Sequence, residues 1–511
     1  MIRNWKNREL LVGIALLGIF FFLLYGISGD VLRVAGDEGI YLQGGRLVAQ
    51  GQQPYRDFFA IAGPLTFWAE GALGRWGGMN LAVMRLPAIL DAAFLAWAVY
   101  WFTSRYAGVF YSAGTAVAFL ACEVRVRQLN VNHRWDSAAL AVGAVLLALH
   151  AQRTGRRGLW AACGFLTVVA ALATPSMALV ALPLLYWCGR RAWRNMPVFL
   201  SGAVVAAGIA AAYLQSEQAL LPLIRSMRWT GANYTQANRV FYGGLFMRGL
   251  PGVEPGGWAA VAGLPIWLLP AILPLAAILG WGWYFRQRRN RTDAPEIVPL
   301  LMVTAALVFS AWPRWTSDVL LHTMALSFFL CALLFYRLTE GRRRLWFCLT
   351  VLLASVGSLA NKGLAAMDYW PRETRVGTLP AALDESEFLA GLERWIQPGD
   401  SLFSYPYMPS AYYFLNARNP TRYSFLQPGM MTAEDERRAI GELEARPPRW
   451  VIYEKYPPET VLAMWPGSDP ARIPMTAMNT YLQEHYHPVD TVAGPWGHVL
   501  VMEKNPQAKV P

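Results

Sequence analysis

The chain has 511 residues, 55% hydrophobic and only 15% charged, with 22 tryptophans and a formal charge of +12. A soluble chain carries about a quarter charged residues, so the composition excludes an ordinary soluble enzyme and points to a membrane protein. The basic residues sit in short knots between apolar runs, which argues for membrane topology and against nucleic acid as a partner.

The first run, "NRELLVGIALLGIFFFLLYGIS", follows basic residues and carries roughly 19 apolar ones, longer than the core of a cleavable signal. It predicts an uncleaved span with a cytoplasmic N-terminus. Further spans are expected at roughly 81–103, 107–122, 136–152, 158–173, 175–188, 197–214, 258–285, 297–313, 318–337 and 345–361, about eleven in all. Pro175 in "ATPSM" is expected to break the fifth from the sixth. The knots "RNWKNR", "SRY", "QRTGRR", "GRRAWRN", "RQRRNR" and "TEGRRRL" fall on every second connection, so the positive-inside rule places them in the cytoplasm. Loops 29–80, 123–135 and 215–257 and the tail from 362 then share the opposite side.

Two of these outside loops, roughly 50 and 43 residues long, exceed what a hairpin needs, and long ordered loops are usually functional. In the first, "EGIYLQGGRLVAQG", stopped by Gly51, and "GPLTFWAEGALGRW", opened by Pro64, read as amphipathic helices lying in the membrane interface. The tail alternates β-rich runs ("SLFSYPY", "RYSFL", "WVIYEK", "HVLVMEK") with helical ones ("LDESEFLAGLERWI", "TAEDERRAIGELEAR"), the pattern of a small α/β domain. The expected domains are therefore a transmembrane catalytic domain, 1–361, and an extracytoplasmic α/β domain, 362–511. The five cysteines lie in or beside apolar runs without metal-ligand spacing, so no disulfide framework is expected.

Several polar groups stand on the outside face. Asp37 and Glu38 follow the first span; Asp37 reads either as the N-cap of the helix starting at Glu38 or as a general base. In "NVNHRWDSAAL", Asp136 before Ser137 reads as another N-cap, with His133 and Arg134 at the interface. Arg225, Arg228, Arg239 and Arg248 are interleaved with Trp229, Tyr234, Phe241 and Tyr242, and arginine offers a planar fork suited to phosphate oxygens. Asp318 and His322, four apart, share a helix face and suit a polar contact with substrate; two such ligands make no zinc site. Asp91 lies inside a span, where an acid is a functional candidate as well as a packing group.

With these residues in place, "GDEGIYLQGGRLVAQGQQPYRDFFAIAGPLTFW" after a first span resembles the polytopic GT-C glycosyltransferases. It is most similar to the bacterial group related to protein O-mannosyltransferases and to the aminoarabinose transferase of lipid A. The resemblance runs along nearly the whole chain and rests on the order and side of short motifs. It implies an inverting transfer from a polyprenyl-phosphate sugar. By that resemblance Asp37 is the base with Glu38 beside it, Asp136 matches the acid at the start of the fourth span, and Arg225, Arg228 and Arg239 are the phosphate ligands. Where the aminoarabinose transferases read Glu-Lys-Pro-Pro-Leu, this chain has "IAGPL", with Ile61 and Ala62 in place of the acid and the lysine. Arg56 in "PYRDFF" is the candidate to restore that charge, and Tyr55, His133, Asp318 and His322 are expected to line the substrate site.

The expected function is thus an integral-membrane glycosyltransferase of a bacterial inner membrane, acting on lipopolysaccharide, lipid or polysaccharide, with protein acceptors ranked behind. No cofactor is required, with a divalent cation left open. The rival readings are a polymerase or ligase using a diphosphate-linked glycan, and a lipid-linked-sugar flippase. A lipid phosphate leaves as an anion, so one base plus positive charge suffices, whereas a glycosidase needs a paired acid.

Overall fold

The computed structural model describes residues 7–28, 31–34, 36–123, 129–244, 258–288, 296–341, part of 344–360, 369–494 and 497–506. Arg248 and about half of the expected span 345–361 lie outside the described residues. The chain divides into two compact units. One comprises 1–29, 87–212 and 241–366; the other comprises 30–86, 213–240 and 367–511.

The first unit is helical. Among the described residues of the chain, five helices are long and apolar enough to cross a membrane: Leu10–Ile27, Leu81–Ser104, His133–Thr154, Trp193–Ser216 and Leu268–Gln287. Shorter apolar helices are Val109–Cys122, Gly158–Ala173, Ile297–Ser310 and Met324–Leu338. Large apolar side chains such as Leu11, Phe22, Ile209 and Leu279 stand exposed on these helices, as a lipid-facing surface requires. The interior is alanine-rich and locked by rings, Phe102 stacking on Phe329 at 5.2 Å and the Trp281 indole N–H donating to the Leu330 carbonyl. Thr174 is extended and Pro175 opens a 3₁₀ turn, so the helices Gly158–Ala173 and Ala181–Arg191 are separate, as the proline predicts. Cys122, Cys163, Cys188 and Cys331 are free thiols.

Small residues set the closest helix approach. A Cβ on Gly164 would lie 2.0 Å from the Phe199 carbonyl oxygen, and one on Gly202 would lie 1.8 Å from that of Ala161. Without a hydrophobic drive between helices in lipid, such backbone contact is the main source of packing energy. Gly164→Leu is expected to part these helices, costing roughly 1–3 kcal/mol. Gly208, with open space around its Cβ position, should accept alanine unchanged. Thermal unfolding of both variants in detergent checks this.

The second unit gathers the first outside loop, residues 213–240 and the C-terminal segment. Its sheet orders Leu402–Tyr405, Trp450–Glu454, Gly497–Lys504 and Tyr486–Gly494, the first pair parallel and the others antiparallel. The parallel pair needs a crossover, supplied by Ser410–Phe414 and Ala433–Ala445, the latter opened by a Thr432–Asp435 capping box. A hairpin, Trp370–Thr374 with Gly377–Ala381, precedes the helix Leu383–Glu393.

Two expectations are corrected here. "RYSFL" is not a strand: the Arg422 N–H donates to Glu442 and the Tyr423 N–H to the Thr421 hydroxyl, which removes the ladder donors. The helix Glu38–Ala49 is not interfacial but interior, with ten of its residues buried. Its glycines admit close neighbours, Ser410 at Gly39, Phe67 at Gly44 and Glu70 at Gly45. Its Arg46 turns inward, donating to the Tyr412 and Ala417 carbonyls at 2.9 and 3.0 Å.

Candidate functional site

Asp37 and Glu38 are neighbours in the chain with opposite fates. Glu38 is buried and takes a two-pronged grip from Arg85, both contacts at 2.7 Å; Arg85 itself is 0% exposed and also donates to the Val31 carbonyl. Asp37 stands at the N-cap position, but its backbone is already helical (φ −65°, ψ −20°) and its side chain makes no capping bond. An N-cap needs an extended backbone to turn its oxygen onto the helix N–H groups, so the capping reading of Asp37 is replaced. Its carboxylate is exposed and accepts a hydrogen bond from the Tyr407 hydroxyl at 2.8 Å. Among the described residues it has no ion-pair partner. Burial first, then the Asp37 charge, hold the Tyr407 phenol well above its ordinary pKa, so it stays protonated and donates. Phe425 and Trp465 rings at 5.1 and 5.4 Å fix the Tyr407 ring.

The approach to Asp37 is pinned within this unit. The Leu32 N–H donates to the Pro380 carbonyl, the Val34 N–H to Glu385, and the Ser410 hydroxyl to the Val34 carbonyl. Arg33 has both terminal guanidinium nitrogens buried without a partner among the described residues; burial, then the Arg85 charge, pull it down to about 10. Arg225 and Arg228 are exposed on the helix Leu220–Trp229. That helix is held by Ser226 donating to the Ala60 carbonyl and the Trp229 indole donating to Asp435. Arg239 is exposed beyond it. Arg56 already grips Asp57 at 2.7 and 3.0 Å and donates to the Glu217 carbonyl. Tyr55 sits at φ +69° with its hydroxyl turned inward onto the Ala62 carbonyl, shaping the loop.

The remaining candidates lie in the helical unit. The N-cap of His133–Thr154 is Asn132, whose side chain accepts from the Arg134 N–H, so Asp136 falls inside the first turn and is not the cap. Asp136 instead lies close enough to Asp91 for the two carboxyl groups to act on each other. His133 Nδ1 lies 2.6 Å from the Thr174 hydroxyl, which in turn donates to Ser137. The His322 ring packs edge-on to Trp135 at 4.5 Å. Asp318 and His322 do lie one turn apart, on the short helix Ser317–Leu321 and its C-cap. Among the described residues no three His, Cys, Asp or Glu side chains are placed to hold a metal ion.

Tyr407, Arg85 and Arg33 are the participants that sequence reasoning missed. For Arg85 a signal existed, an arginine at the head of an apolar run; Tyr407 has no local signature.

No protein-family model and no curated protein matches the chain in sequence. Solved structures do match: the fold is GT-C, that of polytopic membrane glycosyltransferases. In particular, ArnT from Cupriavidus metallidurans bound to undecaprenyl phosphate superposes with a TM-score of 0.58 at 14% identity, covering 98% of this chain and 98% of that one. The archaeal oligosaccharyltransferase AglB from Archaeoglobus fulgidus, in complex with an inhibitory peptide and a dolichol-phosphate, gives 0.51 at 12% identity over 99% of this chain and 75% of that one. At such identities the likeness is one of fold.

Proposed function

We propose that this protein is an inverting membrane glycosyltransferase that moves a monosaccharide from a polyprenyl phosphate to an acceptor hydroxyl. The observation that carries the reading is the state of Asp37. It is an exposed carboxylate at the head of an interior helix, making no capping bond and no ion pair among the described residues, and aligned by one phenol donor. A general base must be accessible and held in place; Asp37 is exposed and aligned by Tyr407, while Glu38 is buried and closed on Arg85.

In this reaction Asp37 takes the acceptor proton as the acceptor oxygen attacks the anomeric carbon from the face opposite the phosphate. The bond from that carbon to the phosphate oxygen breaks, and polyprenyl phosphate leaves with the electron pair. Positive charge on the leaving phosphate stabilises the transition state. Arg225, Arg228 and Arg239, exposed in the same unit, are the groups for it. Arg56 contributes less, because its fork is closed on Asp57.

The same reading puts about eleven helices across a bacterial inner membrane, the N-terminus in the cytoplasm, and the first loop and C-terminal segment outside. The acceptor is then a lipopolysaccharide, lipid or polysaccharide ahead of a protein, and no cofactor is required.

The test is a donor assay on the purified protein in lipid. Polyprenyl-monophosphate sugars are expected to release polyprenyl monophosphate, and polyprenyl-diphosphate sugars to give no turnover. Turnover only with the diphosphate would replace this reading with a polymerase or ligase; movement of lipid-linked sugar across the bilayer without cleavage would replace it with a flippase.

A further inference from the structure

The second unit contains an open cavity of about 410 Å³, within the range of roughly 300–1,000 Å³ typical of small-molecule sites. Arg46 and Gln50 reach it from the end of the helix Glu38–Ala49, and Asn80 from the N-cap of Leu81–Met84. Arg375 comes from the turn of the hairpin, and Asn416 from just past Ser410–Phe414. Gln50 is separated from Asp37 by the whole twelve-residue helix, about 18 Å of rise, so this cavity is distinct from the surroundings of the base.

Its wall presents donors and positive charge. No carboxylate lines it among the described residues. Neighbouring carbonyls are already engaged: Arg46 donates to those of Tyr412 and Ala417, Arg375 to those of Leu415 and Ile396, and the Tyr413 hydroxyl to that of Met79. That spends the acceptors a cation would need. Arg46 is only 9% exposed and has no ion-pair partner among the described residues. Arg375 shares Glu393 with Arg372, at 3.8 and 2.7 Å, so one carboxylate serves two cations. A guanidinium withdrawn from water without a full counter-charge favours an anion within reach.

The rim narrows the ligand further. Gln50, Asn80 and Asn416 are exposed, so three carboxamides, each able to donate and accept, are open to a ligand. Gly377, at φ +117°, brings the hairpin turn against Asn80; a Cβ there would lie 2.9 Å from Asn80 Nδ2. Carboxamides beside guanidinium groups match hydroxyls beside an anionic group. The aliphatic side chains in the wall are Met79 and Val376 alone, too little apolar surface for an acyl chain, which favours a sugar over a lipid headgroup.

We infer that this cavity binds an acidic sugar, one that carries a phosphate or a carboxylate. Arg46 and Arg375 serve the anionic group, and Gln50, Asn80 and Asn416 serve the hydroxyls. The sugar's place in the reaction, as a remote unit of the acceptor glycan whose binding holds the acceptor on the enzyme, rests on the glycosyltransferase reading; the site itself does not.

The full-length protein in detergent is titrated with glucose 6-phosphate, glucuronate and glucose, read by saturation-transfer NMR. Both acidic sugars are expected to bind at least about tenfold more tightly than glucose. Asn80→Asp keeps the shape and the cap, since an aspartate oxygen also accepts from the Ala82 N–H, and places a negative charge in the cavity. Gln50→Glu does the same from another exposed position. Each should weaken both acidic sugars roughly tenfold, leave glucose unchanged and preserve the melting point. Equal binding of all three sugars, or acidic-sugar binding untouched by both variants, overturns the proposal. Inorganic phosphate bound as tightly as glucose 6-phosphate overturns it in favour of a free-ion site. Displacement of the sugar by phosphatidylglycerol but not by phosphatidylcholine overturns it in favour of a lipid headgroup. Asp37→Asn is expected to bind the acidic sugars like wild type. If it does so and still turns over, the base assignment has failed while the site stands.

Discussion

Asp37→Asn is expected to fold like wild type and to lose roughly 10²–10⁴-fold in kcat, the usual contribution of a positioned general base. The asparagine amide is nearly isosteric and its oxygen still accepts from Tyr407, so the 2.8 Å contact survives. What disappears is the capacity to take a proton. An interaction made only as the acceptor is deprotonated lowers kcat and kcat/KM together, so KM for the lipid donor should hold. Tyr407→Phe offers the graded comparison: the base remains but its alignment is lost, and a fall of roughly tenfold is expected, about the worth of one hydrogen bond to a charged group. Steady-state kinetics with a polyprenyl-phosphate sugar, alongside melting points, measure both. A wild-type rate from Asp37→Asn rejects Asp37 as the base.

Some helix ends were legible because they have a local chemical cause, although neither N-cap expected at Asp37 or Asp136 is made and the second falls to Asn132. Pro64 opens its helix at N1, Gly51 takes φ +90° just past the end of another, and Thr432 with Asp435 forms the capping box. Apolar runs likewise announce helices through length alone. Side-chain partnerships were not legible. Arg85 reaches Glu38 across 47 residues and Tyr407 reaches Asp37 across 370, and no local period encodes such distances. The first-loop helix shows why periodicity misleads there. Glu38, Gln43 and Arg46 read as a wet face, yet all three are buried. The resemblance put Asp37 ahead of Glu38; the geometry adds a physical reason, by showing which carboxylate is already spent on Arg85.

Breaking the Glu38–Arg85 pair should be the most destabilising single change in the second unit. Both groups are taken out of water, Arg85 completely, and each is compensated by the other through two 2.7 Å contacts. Removing one partner strands a buried charge, a loss of about 3–5 kcal/mol in such pairs. Arg85→Ala adds the loss of the bond to the Val31 carbonyl and leaves Glu38 without its counter-ion. Glu38→Gln keeps the shape and one acceptor, so it should rank as the milder variant. Replacing both residues, Glu38→Met with Arg85→Met, abolishes the unpaired charge and should cost less than the sum of the single changes, a coupling a double-mutant cycle reads directly. Unfolding midpoints in detergent measure all four proteins. Transfer rates add a second reading: Glu38 opens the helix that follows Asp37 directly, so freeing Glu38 frees the base. Arg85→Ala should therefore lower kcat even at temperatures where the protein stays folded. Additive effects of the two single changes, or a kcat untouched by Arg85→Ala, would mean that this pair does not set the position of Asp37.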